Sequence, residues 1–221
     1  MHAALAILRK DLRIEWRTRE SISSLVALGI LLLVVFTIAH DPTREEQPRL
    51  APSVLWATFV FTGLLGVQRS FLLEREQDCL AGLLMAPIDP AAIFAGKLCA
   101  NLVLLGALQA IVVPLVAFLL HVDFLPVLPG VFVVLTLGNV GFAAGATLVT
   151  AIATRTRARE VLLPLLLLPL VLPVLIAGVK ATQTVLAQGL TQASDAIGVL
   201  VAFDVIFTVA GWLLFTYVVR D

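Results

Sequence analysis

Apolar residues along this chain fall into six long blocks that carry almost no charge. The blocks are Ile22–Ala39, Leu50–Gln68, Leu98–Leu120, Val127–Ala153, Val161–Val179 and Ala196–Val218. Each is long enough for the ~20 residues that an α-helix needs to cross the hydrocarbon core of a bilayer, and the fourth is long enough to tilt or break. Transmembrane β-strands would instead show alternation over about ten residues. The pattern predicts an all-α, polytopic membrane protein with six transmembrane helices.

The composition agrees with this prediction and excludes several other classes of protein. Hydrophobic residues make up 60% of the 221 positions and charged residues 14%, against about 45–50% and about 25% in globular domains. The 15 Lys and Arg balance the 15 Asp and Glu, so no net basic field attracts a polyanion. A soluble enzyme, a disulfide scaffold, a disordered tail and a nucleic-acid binder are excluded. Cys79 and Cys99 lack metal or redox spacing, and we interpret them as inert thiols.

The positions of Lys and Arg between the blocks predict the orientation in the membrane. Twelve lie in the N-terminal segment, the links after the second and fourth blocks, and the C-terminal tail, whereas three lie in the other links. Both termini are therefore expected in the cytoplasm. The first block is longer than the apolar region of a signal peptide, so we interpret it as a retained span. The expected location is the inner membrane of a bacterial cell.

The N-terminal segment 1–21 has the pattern of an amphipathic helix. Its apolar stripe, at helical spacing, consists of Leu5, Leu8, Leu12 and Trp16. Basic residues occupy the remaining faces, as in helices that lie along the cytoplasmic membrane surface. We predict an interfacial helix over 1–21 followed by a six-span permease domain over 22–221. A segment that serves only as a topology signal is the alternative.

The predicted cytoplasmic link 69–97 combines a cluster of acidic residues with a short apolar helix. The acidic residues are Glu74, Glu76 and Asp78, and the apolar helix contains Leu83 and Leu84 before Pro87 ends it. A short helix of this kind can dock into the groove of a partner protein. A solvated connector between two spans is an alternative that the spacing leaves open.

Several polar residues lie inside the predicted spans, where they are costly and often functional. Asp204 lies near the middle of the sixth span, as part of a pathway, a subunit interface or a satisfied structural bond. Asn101, Gln109 and Asn139 could supply hydrogen bonds between helices. Three prolines in the fifth span predict that this helix is kinked or broken.

The sequence contains no catalytic motif. Gly96-Lys97 resembles the end of a P-loop, but the hydroxyl residue and first glycine of that motif are missing. The chain is therefore predicted not to be an enzyme, and any bound ATP and Mg²⁺ should belong to a partner chain. His40 and His121 both fall at the predicted outer face, where two imidazoles could contact haem iron. Two solvated interfacial histidines are the favoured interpretation, and no resident cofactor is expected.

Six short strings carry a resemblance to a known family. They are Arg17-Thr18-Arg19-Glu20, Leu50-Ala51-Pro52 with Leu55-Trp56, Arg69-Ser70-Phe71 with Glu74-Arg75-Glu76, Ala92-Ile93-Phe94-x-Gly96-Lys97, Thr156-Arg157-Ala158-Arg159-Glu160-Val161-Leu162-Leu163-Pro164 and Ala202-Phe203-Asp204-Val205-Ile206-Phe207. Together with the order of the segments, they resemble the ABC-2 type permeases, and more closely the haem exporter protein B (CcmB) family of cytochrome c maturation. Asp78 and Ala81 depart from the Gly and Glu that the family's coupling segment usually carries.

The resemblance implies a homodimer that docks through 69–87 onto a cytoplasmic ATPase subunit (CcmA). It also implies a haem-handling membrane partner (CcmC), a periplasmic haem chaperone (CcmE) and contact with membrane lipid, without nucleic acid. Haem is a possible substrate, and the competing view is that ATP hydrolysis releases the haem-loaded chaperone. The alternatives are an ABC-2 permease for another lipid-like substrate, a self-contained transporter, or a scaffold that transports nothing.

Overall fold

The structure is a computed structural model that describes residues 2–18, 20–40, 42–76, 89–153 and 159–220. These residues form seven α-helices and no β-strand. The helices are α1 (His2–Thr18), α2 (Glu20–His40), α3 (Gln47–Glu76), α4 (Pro90–Leu119), α5 (Leu128–Ala153), α6 (Arg159–Gln188) and α7 (Ser194–Arg220). Short 3₁₀ helices, Leu125–Val127 and Leu190–Ala193, precede α5 and α7. The predicted all-α class is confirmed.

Six of these helices, α2 to α7, are long and apolar enough to cross a membrane, with a mean hydropathy of 1.8 to 2.6 in their spans. They correspond in order to the six apolar blocks. Some helices extend beyond the apolar blocks: α3 continues to Glu76 and α6 continues to Gln188. Helix α6 passes without interruption through Pro164, Pro169 and Pro173, so the prolines do not break it.

The turn before α3 has one of the two contacts of a capping box, from the side chain of Glu46 back to Thr43. The backbone N–H of Thr43 donates to Glu46 Oε2 over 3.1 Å, and Thr43 Oγ1 donates to the same oxygen over 2.9 Å. These hydrogen bonds, with a smaller contribution from Arg49, lower the pKa of Glu46 below its usual value. The pairing satisfies a backbone N–H that the first turn of a helix leaves without a partner.

Helix α3 is the most enclosed span of the bundle. Of its span, 72% is buried, against 17% for α2 and 22% for α7. It packs against α2, α4 and α6, while α5 packs against α4, α6 and α7. Helices α3 and α5 therefore form the interior, and α2 and α7 leave most of their surface for lipid or for another protein.

Trp56 of α3 is the largest fully buried side chain in the described residues. A Cβ atom added at Gly138 of α5 would lie 2.1 Å from the indole, and one added at Gly178 of α6 would lie 2.5 Å from it. The indole ring therefore packs directly against the backbone of α5 at Gly138 and the backbone of α6 at Gly178. Trp56 Nε1 donates to Thr182 Oγ1 over 2.9 Å, which satisfies the indole's one polar group.

Helix α1 lies against α4. Among the side chains of α1 that the structure describes, the buried one is Ile7, which is 3% exposed and is not a member of the predicted stripe. Leu5 of that stripe is 51% exposed, and the side chain of Trp16 lies outside the described residues. The helix thus has a second apolar face, which packs on the protein and leaves Leu5 available for lipid.

Candidate functional site

A buried ion pair joins α1 to the first half of α4. Lys97 Nζ lies 3.4 Å from Asp11 Oδ2, and the two side chains are 5% and 10% exposed. Lys10 Nζ lies 3.0 Å from the other carboxylate oxygen of Asp11. Removing one partner of a buried ion pair lowers the free energy of unfolding, because the charge of the other partner stays desolvated without compensation. The pair therefore specifies where α1 sits on α4.

Close backbone approach completes this contact between α1 and α4. A Cβ atom at Gly96 would lie 2.9 Å from Ile7 Cβ and 3.0 Å from the carbonyl oxygen of Ala4. Any larger residue at Gly96 would push α1 outward. We call the contact formed by Ala4, Ile7, Asp11, Gly96 and Lys97 the α1–α4 junction.

The same half of α4 also packs against the last helix. Phe94 lies against Phe215 of α7 with ring centroids 5.6 Å apart. A Cβ atom at Gly211 would lie 2.2 Å from Phe94 Cζ, so the Phe94 ring packs directly against the backbone of α7 at this glycine. Ile7, Ile93, Phe94 and Phe215 form one small apolar cluster. Three helices, α1, α4 and α7, therefore meet at this end of the bundle.

Sequence reasoning missed the α1–α4 junction. It treated Gly96-Lys97 as a failed P-loop and assigned no contact to Asp11. The available signal was a lysine inside an apolar helix and an aspartate inside a basic helix, both at the predicted cytoplasmic end. Neither residue indicates by itself which of several charged groups is its partner.

The predicted coupling residues lie at the edge of the described chain. Glu74 and Glu76 belong to the last turns of α3, but their side chains lie outside the described residues. Asp78, Leu83 and Leu84 lie outside them entirely. Asp89 caps α4, because its Oδ1 accepts a hydrogen bond from the N–H of Ala91 over 3.0 Å.

The intramembrane amides form hydrogen bonds between α4 and α5. Asn101 Nδ2 donates to Thr147 Oγ1 over 2.9 Å, and Asn139 Nδ2 donates to Gln109 Oε1 over 2.6 Å. Gln109 Nε2 and Asn139 Oδ1 are buried and have no hydrogen-bond partner among the described residues. The two pairs hold α4 to α5 at two depths.

Asp204 lies on the face of α7 that packs against α5, and it is 8% exposed. A Cβ atom at Gly141 would lie 2.6 Å from Asp204 Oδ1, so the carboxyl group packs directly against the backbone of α5 at this glycine. That oxygen has no hydrogen-bond partner within the part of the chain that the structure describes. The geometry places a buried carboxyl group between α5 and α7, and its role in a pathway stays a prediction.

The two histidines predicted at the outer face have local contacts at helix ends. The ring of His40 makes a 3.0 Å hydrogen bond through Nδ1 with the carbonyl oxygen of Phe36, one turn earlier in α2. His121 has a φ of 49°, and the next N–H, of Val122, donates to Ala117 O over 3.1 Å. This is the Schellman arrangement that closes a helix, usually with glycine at the left-handed position. A haem contact by either histidine stays a prediction.

Comparison with known proteins decides the family. A family model described as CcmB protein matches residues 2–219. The chain belongs to the CcmB family. The resemblance inferred from the six strings is therefore confirmed, and the match includes α1 as well as the six spans.

Individual relatives agree with this assignment. The chain is 30% identical over 178 residues to heme exporter protein B of Rhodobacter capsulatus, covering 80% of this chain and 81% of that protein. It is 29% identical over 178 residues to heme exporter protein B of Paracoccus denitrificans, with coverage of 80% and 81%. For heme exporter protein B of Pseudomonas aeruginosa the identity is 27% over 191 residues, with coverage of 83% and 82%.

Proposed function

We propose that this protein is the membrane permease subunit of an ABC-type complex for haem export in cytochrome c maturation. The support is the CcmB family match over nearly the whole chain, the relatives named heme exporter protein B and the six membrane-length helices. ATP hydrolysis takes place on a separate cytoplasmic subunit that resembles CcmA. The chain resides in the bacterial inner membrane with both termini in the cytoplasm.

The observation that carries the coupling part of this proposal is the α1–α4 junction. The proposed docking surface is the segment 69–87, with Glu74 and Glu76 at the end of α3. A force on this segment acts on the start of α4 through the capped helix end at Asp89. Lys97 lies eight residues further on, about 12 Å along the helix. Because Lys97 holds Asp11, α1 and the first half of α4 respond as one unit.

In this proposal, a displacement of α4 is passed on to α7 and to the part of the bundle inside the membrane. Phe94 fills the space over Gly211 of α7, and Asp204 lies about two turns earlier on the same helix, against α5. Packed helices of this kind change between discrete arrangements and do not deform continuously. In the proposed cycle, closure of the ATPase dimer repacks α4 and α7 against α5.

The repacking either moves haem or releases a haem-loaded chaperone. The proposed partners are a second copy of this chain, a haem-handling membrane protein that resembles CcmC and a periplasmic chaperone that resembles CcmE. The chain itself supplies no resident cofactor in this scheme. Haem is cargo, and ATP with Mg²⁺ stays on the partner subunit.

Charge reversal at the docking surface tests the proposal. We expect the variant Glu74→Lys with Glu76→Lys to lose the ATPase subunit on affinity purification from membranes and to lose cytochrome c maturation. The control Glu45→Lys alters an exposed residue near the opposite end of α3 and should keep both. Unchanged co-purification of the ATPase with the double variant would contradict the docking surface.

A second readout separates a permease from a scaffold. Maturation should stop when the partner ATPase binds but cannot hydrolyse ATP. Normal maturation with such an ATPase would show that the chain only anchors its partners.

A further inference from the structure

We propose that the groove between α6 and α7 binds one zwitterionic phospholipid, with an acyl chain along its apolar wall and the head group at Lys180 and Asp195. We infer phosphatidylethanolamine as the lipid class. This binding site is independent of the proposed export function.

The groove has room for one acyl chain and a head group, and it is open on one side. Its volume is about 710 Å³, within the ~300–1,000 Å³ typical of small-molecule sites. The wall includes Leu172 and Ile176 of α6 and Val199 of α7. These side chains are 47%, 54% and 50% exposed, so the groove opens on the outer surface of the bundle. At membrane depth, this surface faces lipid.

The polarity of the groove changes along its length. The wall starts at Pro169 and is apolar as far as Ala177, whereas the other end is lined by polar residues of α6 and α7. Pro169 and Lys180 are eleven residues apart, about 16 Å along a helix. That length is about half of the ~30 Å hydrocarbon core. The groove therefore matches one leaflet, with its polar end at the head groups.

Two residues of opposite charge line the polar end of the groove. Lys180 of α6 and Asp195 of α7 both line the groove, and no ion pair of either residue is present in the described ranges. Their neighbours Gln183 and Thr184 already make hydrogen bonds, to Arg49 O over 3.2 Å and to Lys180 O over 2.9 Å.

This pair of charges selects the head group. A phosphate can pair with the Lys180 ammonium, while a lipid ammonium can pair with the Asp195 carboxylate. Ethanolamine supplies N–H donors for that second pairing. A ligand with two carboxylates, such as haem, would place its second negative charge next to Asp195, and an anionic glycerol head group would leave Asp195 without a cation. The charge pattern therefore favours a zwitterion over a dianion or a monoanion.

The experiment measures which lipid the protein retains. The full-length protein is reconstituted with equal amounts of phosphatidylethanolamine and phosphatidylglycerol, extracted mildly, and its retained lipids are quantified by mass spectrometry. We expect phosphatidylethanolamine to be enriched over the input ratio by about two- to fivefold, the range of an interfacial charge pair. Asp195→Asn should return the ratio to the input value. Lys180→Gln should lower the retention of both lipids.

A bulky residue tests the location. Val199→Trp should fill the groove and remove the retained lipid, whereas Val205→Trp, on an exposed position of the same helix outside the groove, should not. A phosphatidylethanolamine with a photoreactive acyl chain should label Leu172, Ile176 or Val199, which gives the answer even if Val199→Trp does not fold.

Four results would overturn the proposal. They are a wild-type lipid ratio equal to the input, equal photolabelling of the groove and of Val205, a haem absorbance band that Val199→Trp removes, and rapid disulfide cross-linking of two Val199→Cys chains. The last two would identify haem or a second copy as the occupant. None of them changes co-purification of the ATPase, so the export proposal is tested separately.

Discussion

The enclosure of Trp56 leads to a prediction about a single methyl group. The substitution Gly138→Ala adds a Cβ atom 2.1 Å from Trp56 Cη2 and 2.6 Å from Cζ3. The indole cannot move away, because on its other side a Cβ atom at Gly178 would also lie 2.5 Å from the ring. Movement along the ring plane would break the hydrogen bond from Nε1 to Thr182.

The magnitude follows from two opposing contributions. Overpacking a well-filled core typically costs about 1–3 kcal/mol, and the rigid ring and short distance place this variant at about 3 kcal/mol. Replacing glycine by alanine inside a helix returns about 1 kcal/mol. The net loss in the free energy of unfolding is about 2 kcal/mol. For a chain of this size, that corresponds to a fall in Tm of about 4–8 °C.

The assay has a matched control in the same chain. A methyl group added at Gly198 of α7 would meet no atom within 4 Å, so Gly198→Ala should leave Tm unchanged or raise it by up to about 4 °C. Both variants can be followed by size-exclusion chromatography of the detergent-solubilised protein after heating. We expect Gly138→Ala to lower Tm and Gly198→Ala to leave it unchanged or raise it, although both variants add the same methyl group.

A third variant tests the cause. Trp56→Phe provides a smaller ring, so Gly138→Ala should cost at least about 1 kcal/mol less in that background. The reasoning is refuted if Gly138→Ala and Gly198→Ala shift Tm alike, or if Trp56→Phe leaves the cost of Gly138→Ala unchanged.

Three further predictions concern two polar contacts and one helix end. Lys97→Met removes one of the two lysines that contact Asp11 and should destabilise the protein by about 1–3 kcal/mol. Adding Asp11→Asn should recover part of the lost Tm, because the variant no longer carries a buried charge. A Tm that does not recover would contradict the conclusion that the Asp11 carboxylate is desolvated. Gln109→Leu leaves the Asn139 amide without its partner, so the double variant with Asn139→Leu should have a higher Tm than either single variant. His121→Gly, at a φ of 49°, should raise stability by about 1 kcal/mol; a lower Tm would indicate that the imidazole makes a needed contact.

The number, order and type of the spans could be predicted from the sequence. A membrane-spanning helix must be long and apolar, because its backbone polar groups need partners inside the segment. Each of the six blocks therefore identified one helix, from α2 to α7. The start of α4 also has a local signal in the sequence, since Asp89 is a capping side chain followed by proline. The family was also recognisable, because its strings are contiguous in the chain.

The contacts between helices could not be predicted in the same way. Asp11 pairs with Lys97, 86 positions away, and Trp56 pairs with Thr182, 126 positions away. Asn139 was a candidate from the sequence, but its partner became known only from the structure.

The division has a physical reason. Length and hydropathy determined by themselves that the chain crosses a membrane six times, since the bilayer acts on each segment separately. Helices that are apolar on every side have no periodic signal for which face meets which neighbour, and their association depends on small residues that permit close approach. Only the tertiary structure could therefore decide that Gly138 and Gly178 enclose Trp56, that Gly141 faces Asp204, and that Gly96 brings α1 onto α4.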